Sequence, residues 1–216
     1  MLHYETVTPY LRNTLARLMS DPLFNAFRLV GGTSLSLRLG HRMSIDIDLF
    51  TDTCYGDIDF LSLQTHLRSM FPYCVGDCGN PVGMGATYIV GTSRDDAVKL
   101  DLFYTDPFIA PMDTEDGIRM ASVEDIIAMK LDVVARGGRK KDFWDIHELA
   151  GLHSPAVMLD LYEKRYPYGF NREDVIRGFG NYTIADNEPD PHCLRSKDWD
   201  IIKEELQATF AILYSI

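Results

Sequence analysis

A chain of 216 residues, 46% hydrophobic and 25% charged, suits one α/β domain with an appendage or two small domains, and excludes the disordered, collagenous and coiled-coil classes. Twenty-one Lys plus Arg against 32 Asp plus Glu give a net charge of −11, so any nucleic-acid contact has to use a local basic patch rather than an overall field. The sequence has neither a long unbroken apolar run nor a basic-then-apolar opening, which sets the expectation of a soluble cytoplasmic protein with no membrane contact.

The four cysteines, Cys54, Cys74, Cys78 and Cys193, then read as reduced thiols. Cys74, Cys78 and His192-Cys193 lack the complete paired spacing of a zinc site.

In chain order, residues 4–19 carry Leu11, Leu15 and Leu18 at helical spacing and stop at Asp21-Pro22. A short strand, FRLV at 27–30, runs into Gly31-Gly32-Thr33. A short helix follows, closed by Gly40. SIDIDLF at 44–50 alternates strictly, as a half-buried strand does. Residues 57–71 form an amphipathic helix, and GATYIVGT and AVKLDLFY flank the turn-like SRDD as a hairpin. From Ser122 the pattern is helical, over 122–136, 141–150, 155–166, 171–179 and 196 to about 214. The expected division is a mixed α/β core at 1–118 and a helical domain at 119–216, whose last helix packs or forms an oligomer face through Trp199, Ile202, Leu206, Phe210 and Leu213.

The chemistry starts from the strands. Alternation puts Asp46, Asp48 and Phe50 on one face and Ile45, Ile47 and Leu49 on the other, and in AVKLDLFY it puts Lys99, Asp101 and Phe103 opposite Val98, Leu100 and Leu102. Strands disfavour Asp, and like charges on one face repel unless a cation lies between them. If the two strands are neighbours, three carboxylates converge, a hard-oxygen set suited to Mg²⁺, with Mn²⁺ as its substitute, and to phosphoryl or nucleotidyl transfer. Gly31-Gly32, between a strand and a helix, is where bare backbone N–H groups can cradle a phosphate. His41 and Arg42 read either as solvated loop charges or as anion contacts.

In the helical half, Ser122 and Asp125 resemble a capping box. Lys130 interrupts the apolar stripe of Val123, Ile126, Ile127, Leu131 and Val134, so it either snorkels to solvent or points at a buried anion. Asp142 and Asp145 either lock the basic turn from Arg136 to Lys141 or reach the active site.

The stretches GGTSLSLRLGHRMSIDIDLF, VKLDLF, ASVEDIIAMKLDVVAR and RKKDFWDIHEL, in that order between about Phe27 and Leu149, resemble the nucleotidyltransferase AbiEii/AbiGii toxin family of the DNA polymerase β-like superfamily. The resemblance implies an α+β fold, a polymerase β-like mixed sheet with flanking helices plus a C-terminal helical bundle. It implies that Gly31, Gly32, Thr33 and Lys130 bind the nucleotide, to which Arg42 is added as the candidate anion contact, that Asp46, Asp48 and Asp101 hold metal, and that Asp46, Asp48, Asp101, Lys130 and Asp142 are catalytic. The implied reaction moves a nucleoside monophosphate from an NTP to a hydroxyl acceptor, RNA at a tRNA 3′ end. The implied setting is a type IV toxin–antitoxin or phage-defence system with a separately encoded antitoxin. A tRNA would be met by a patch of Arg38, His41 and Arg42 with Arg136 to Lys141. The rival readings are a D-x-D sugar-nucleotide transferase and a nucleotide- or antitoxin-binding module with an idle site.

Overall fold

Helix α1 (Pro9–Ser20) begins where its cap chemistry dictates: Thr8 Oγ1 accepts from Leu11 N at 3.1 Å and Pro9 fills the first turn. Its Leu11, Leu15 and Leu18 are buried. Strand β1 (Arg28–Leu29) leads directly into α2 (Gly31–Leu39), followed by β2 (Asp46–Thr51), α3 (Phe60–Met70), β3 (Tyr73–Val75), β4 (Gly85–Gly91), β5 (Ala97–Tyr104), β6 (Asp113–Glu115) and β7 (Ile118–Met120). These strands form one sheet in the order β3-β4-β5-β2-β1-β7-β6. The β2–β5 and β1–β7 pairs are parallel, whereas β1–β2, β3–β4, β4–β5 and β6–β7 are antiparallel.

The computed structural model describes residues 1–169 and 171–215. It divides the chain into two compact units. Unit 1 is Met1–Leu39, Ser44–Pro107 and Pro111–Ala121, and unit 2 is Gly40–Met43, Phe108–Ala110 and Ser122–Ile216. The expected boundary at 118/119 falls instead at 121/122, because β7 pairs with β1 and Ala121 N still bonds to Leu29 O at 3.0 Å. Two short excursions of the first half also belong to the second unit.

Unit 1 is the sheet with α1–α3. Its core joins Leu11, Leu15 and Leu18 to Phe24, Phe27, Ile47, Leu49, Leu100 and Leu102. Ile45, expected on the inner face of the first Asp-bearing strand, precedes β2 and is 66% exposed. Strands β3, β6 and β7 have three residues each, too short for alternation to mark them in the sequence.

Unit 2 contains α4 (Val123–Ala135), α5 (Lys140–Ala150), α6 (Pro155–Arg165), α7 (Arg172–Gly178) and α8 (Trp199–Ala211). Helix α4 touches α5, α6 and α7. Its cap is the expected one: Ser122 Oγ accepts from Asp125 N at 3.0 Å and donates to Asp125 Oδ2 at 2.8 Å. The buried Asp125 also accepts from Ile109 N at 2.9 Å and Arg165 Nη1 at 2.7 Å. Trp199, Ile202, Leu206, Phe210 and Leu213 are all buried within the unit, with Trp199 stacked on Trp144 at 6.2 Å, so the last helix is a packing element rather than an open oligomer face. Mixed sheet and separate helical unit make the fold α+β, the class expected.

Candidate active site

Registration of β2 against β5 decides where the acidic residues stand. Asp48 is paired directly with Asp101 and Asp46 with Lys99, so the polar side chains of both strands share one face of the sheet. The pairing is parallel, and β5 reaches it because the β4–β5 hairpin folds back beside β2. Val30 N bonds to Asp48 O at 2.9 Å and brings the end of β1, with Gly31 behind it, alongside the same stretch of β2.

Gly31 has φ +69° and opens α2, where a Cβ would stand 2.5 Å from Asp48 Oδ2. Only glycine supplies both the left-handed backbone and that closeness. The Asp48 carboxylate therefore lies against the N-terminal turn of a helix, where the positive end of the dipole and unpaired N–H groups favour negative charge. Gly32 lies in the same turn. Thr33, expected to touch the nucleotide, is instead buried. Its hydroxyl donates to the Asp46 backbone carbonyl and accepts from Ser44 Oγ at 2.7 Å, tying α2 to the start of β2. That correction makes Thr33 a fixing point for the strand that carries Asp46.

Asp101 is engaged on both oxygens. Thr87 Oγ1, from the residue opposite it on β4, donates to Oδ1 at 2.6 Å, and Lys99 Nζ donates to Oδ2 at 2.5 Å. Partial burial works against the Lys99 ammonium, yet its bond to Asp101 and the fields of Asp101, Asp48 and Asp46 hold its pKa above the ordinary lysine value. Neither Lys99 nor Thr87 was expected in the site. The alternation had placed Lys99 on the acidic face, but only the strand register shows whom it faces.

The sequence expects Asp46, Asp48 and Asp101 to hold a metal ion together. Among the described residues no three His, Cys, Asp or Glu side chains are grouped to hold a metal ion. Asp101 shares the face of Asp46 and Asp48, but Lys99 and Thr87 occupy it. Asp46 and Asp48 with the Gly31 cradle still suit Mg²⁺, which takes one or two carboxylates and draws its other ligands from water and phosphate.

Unit 2 holds a second ionic cluster, and it absorbs the residues expected to reach the nucleotide from that half. Lys130 Nζ lies 2.7 Å from Asp142 Oδ1 and 2.6 Å from Asp145 Oδ2. Arg42 grips Asp145 bidentately, Nε to Oδ1 at 2.7 Å and Nη2 to Oδ2 at 2.8 Å, and His41 Nε2 donates to Oδ1 at 2.8 Å. Asp142 Oδ2 accepts from Arg139 N at 3.1 Å. All of these side chains except Arg139 are buried. Burial alone would raise both carboxylate pKa values. Arg42 and Lys130 reverse that for Asp145, holding it well below the usual range, and Lys130 does so for Asp142. Burial likewise disfavours the Lys130 ammonium, and the two carboxylates outweigh it and hold its pKa up. Lys130 thus points at a buried anion as the sequence suggested, but the anion is a pair of aspartates within the unit. The structure places Arg42, Lys130 and Asp142, the nucleotide and catalytic candidates of the sequence, together in this network.

The basic patch shrinks for the same reason. Arg38 donates to Ala121 O at 2.9 Å and pairs with Asp113 at 3.0 Å. His41 and Arg42 are buried, and Lys140 is buried against Asp190 at 2.8 Å with its ammonium over the Trp199 ring. Arg136, paired with Asp132, and Arg139 keep most of their side chains in solvent.

Solved structures share this architecture. JHP933 from Helicobacter pylori superposes with a TM-score of 0.57 over 97% of this chain and 94% of its own, at 19% identity. MenT4, the nucleotidyltransferase toxin Rv2826c from Mycobacterium tuberculosis H37Rv, superposes with a TM-score of 0.58 over 95% of this chain and 82% of its own, at 14% identity. The fold is that of the nucleotidyltransferases. The family model described as "Nucleotidyl transferase AbiEii toxin, Type IV TA system" matches residues 13–209, and the chain belongs to that family. An uncharacterized protein of Aquifex aeolicus (strain VF5), aq_aa25, is 30% identical over 151 residues, a match that spans 66% of each chain. Membership makes this a nucleotidyltransferase of a toxin family, for which a nucleotide is the substrate and an antitoxin the implied partner. Among the described residues no helix is long and apolar enough to cross a membrane.

Proposed function

We propose that the chain transfers a nucleoside monophosphate from an NTP to a hydroxyl acceptor in a Mg²⁺-dependent reaction, with Mn²⁺ able to substitute. The observation that carries this reading is the Asp48–Asp101 register across parallel β2 and β5, with the Asp48 carboxylate set against Gly31 at the opening of α2. Asp46 and Asp48 would hold the ion, which when bound supplies Lewis-acid polarisation of the phosphate and neutralises its charge. The backbone N–H groups of Gly31 and Gly32 orient the outer phosphates. Asp101, held by Thr87 and Lys99, faces the acceptor and takes the proton of its hydroxyl. The freed oxygen attacks the α-phosphorus in line, and pyrophosphate leaves.

RNA, at a tRNA 3′ end, is the acceptor we favour, with a toxin role in a type IV toxin–antitoxin or phage-defence system of the cytoplasm. Membership in the toxin family supports this, and the solvent-facing guanidinium groups of Arg136 and Arg139 suit a polyanion. The test is transfer of label from α-labelled NTPs to total cellular RNA. Asp46→Asn and Asp48→Asn are expected to abolish transfer while leaving thermal unfolding unchanged, and full activity of the double variant refutes the site. Release of nucleoside diphosphate from a nucleotide sugar, rather than pyrophosphate from an NTP, would mark a sugar-nucleotide transferase instead.

A further inference from the structure

Lys99 enters the reaction as written only through its bond to Asp101, and its ammonium is set among the carboxylates on this face. It stands two residues before Asp101 on β5, opposite Asp46 on β2, and its ammonium meets Asp101 Oδ2 at 2.5 Å. The Lys99 side chain is 42% exposed and that of Asp101 14%, so the lysine is the solvent-facing and longer member of the pair, able to move while the carboxylate stays. Thr87 holds the other oxygen at 2.6 Å, which leaves the plane of the Asp101 carboxylate fixed from two sides. Asp46 and Asp48 stand on the same face, so the Lys99 ammonium shares it with three carboxylates.

We propose that Lys99 is a built-in counter-ion of this site and a positioning residue for Asp101, tuning how strongly the face attracts a divalent cation and how the acceptor-facing carboxylate is aimed. The proposal rests on Asp46 and Asp48 being the metal pair. A cation already at the face repels an arriving one, so Lys99 lowers divalent affinity. Its hydrogen bond orients Asp101, so it raises turnover. The two effects have opposite signs, which a loss of folding cannot imitate.

The experiment titrates Mn²⁺ alone, without NTP, following the free-ion electron paramagnetic resonance signal, and measures steady-state nucleotidyl transfer on the same variants. Lys99→Met is expected to bind Mn²⁺ about tenfold more tightly at low ionic strength, with the gain shrinking as salt is added. Its kcat is expected to fall by roughly tenfold with KM for NTP nearly unchanged, as for an interaction realised in the transition state. Lys99→Arg keeps the charge and should restore Mn²⁺ affinity to the parent value. Thr87→Val removes only the second hold on Asp101, so it should lower kcat without altering Mn²⁺ binding. Unchanged or weaker Mn²⁺ binding in Lys99→Met, with binding abolished in Asp46→Asn and Asp48→Asn, overturns the counter-ion role alone. Undiminished Mn²⁺ binding in the two Asn variants overturns the metal pair and this proposal with it.

Discussion

The molecule uses aspartate and lysine twice, in opposite ways. In unit 2, Lys130, Asp142, Asp145 and Arg42 are buried and answer one another, two positive charges against two negative, with His41 and Arg139 donating to the remaining carboxylate lone pairs. On the face of β2 and β5 in unit 1, Asp46, Asp48 and Asp101 stand beside Lys99, which bonds Asp101, and all four side chains keep contact with solvent. Removing a member of the buried set costs stability. An acidic set open to solvent can take up a cation. Residue type therefore does not separate the two sets of aspartates, whereas burial does.

The largest expected effect is on activity. Asp48→Asn should reduce nucleotidyl transfer by roughly 10³-fold or more. By relieving like-charge repulsion, the same change should leave the denaturant midpoint equal or slightly higher. Asp145→Asn should do the reverse to stability, costing about 3–5 kcal/mol, because it leaves Arg42 and Lys130 short of a buried counter-charge. Urea unfolding of the two variants side by side tests the contrast, and equal midpoints would erase it.

The two sets should also differ in pH response. Asp142 and Asp145 have folded pKa values depressed below the unfolded carboxylate value of about 3.9, so their stabilisation is complete above that pH and is lost as pH falls through the folded values. Lys130 is raised in the folded state, so its contribution is complete below the unfolded lysine value of about 10.4 and is lost as pH rises through the folded value. Stability measured against pH should show a plateau between these limits, and Asp145→Asn should flatten its acid limb. A smaller effect is expected for Gly31→Ala, where φ +69° and contact with Asp48 Oδ2 should cost about 1–2 kcal/mol and displace the carboxylate, lowering transfer as well. Least of all, Arg136→Ala breaks a pair whose arginine side chain is 70% exposed and should change stability by about 0.5 kcal/mol or less.

Much of this was legible in the sequence. Strict alternation marked β2 and β5 and the faces of Asp46, Asp48 and Asp101, and the glycine-rich break marked the start of α2, because both signals depend only on neighbouring residues. The partners of Asp101 were not legible. Thr87 and Lys99 reach it through a hairpin register and a carboxylate orientation that no local pattern encodes. The partner of Arg42 was not legible for a related reason: Asp145 lies more than a hundred residues from it in sequence, and spacing cannot announce such a partner.

The assignment of Gly40–Met43 and Phe108–Ala110 to the helical unit has a genetic consequence. A fragment beginning at Ser122 would contain Asp145 without the guanidinium of Arg42, and Asp125 without the amide of Ile109. No single cut therefore yields a self-sufficient C-terminal piece, and any recombination that exchanges helical halves between relatives has to carry those two short inserts along.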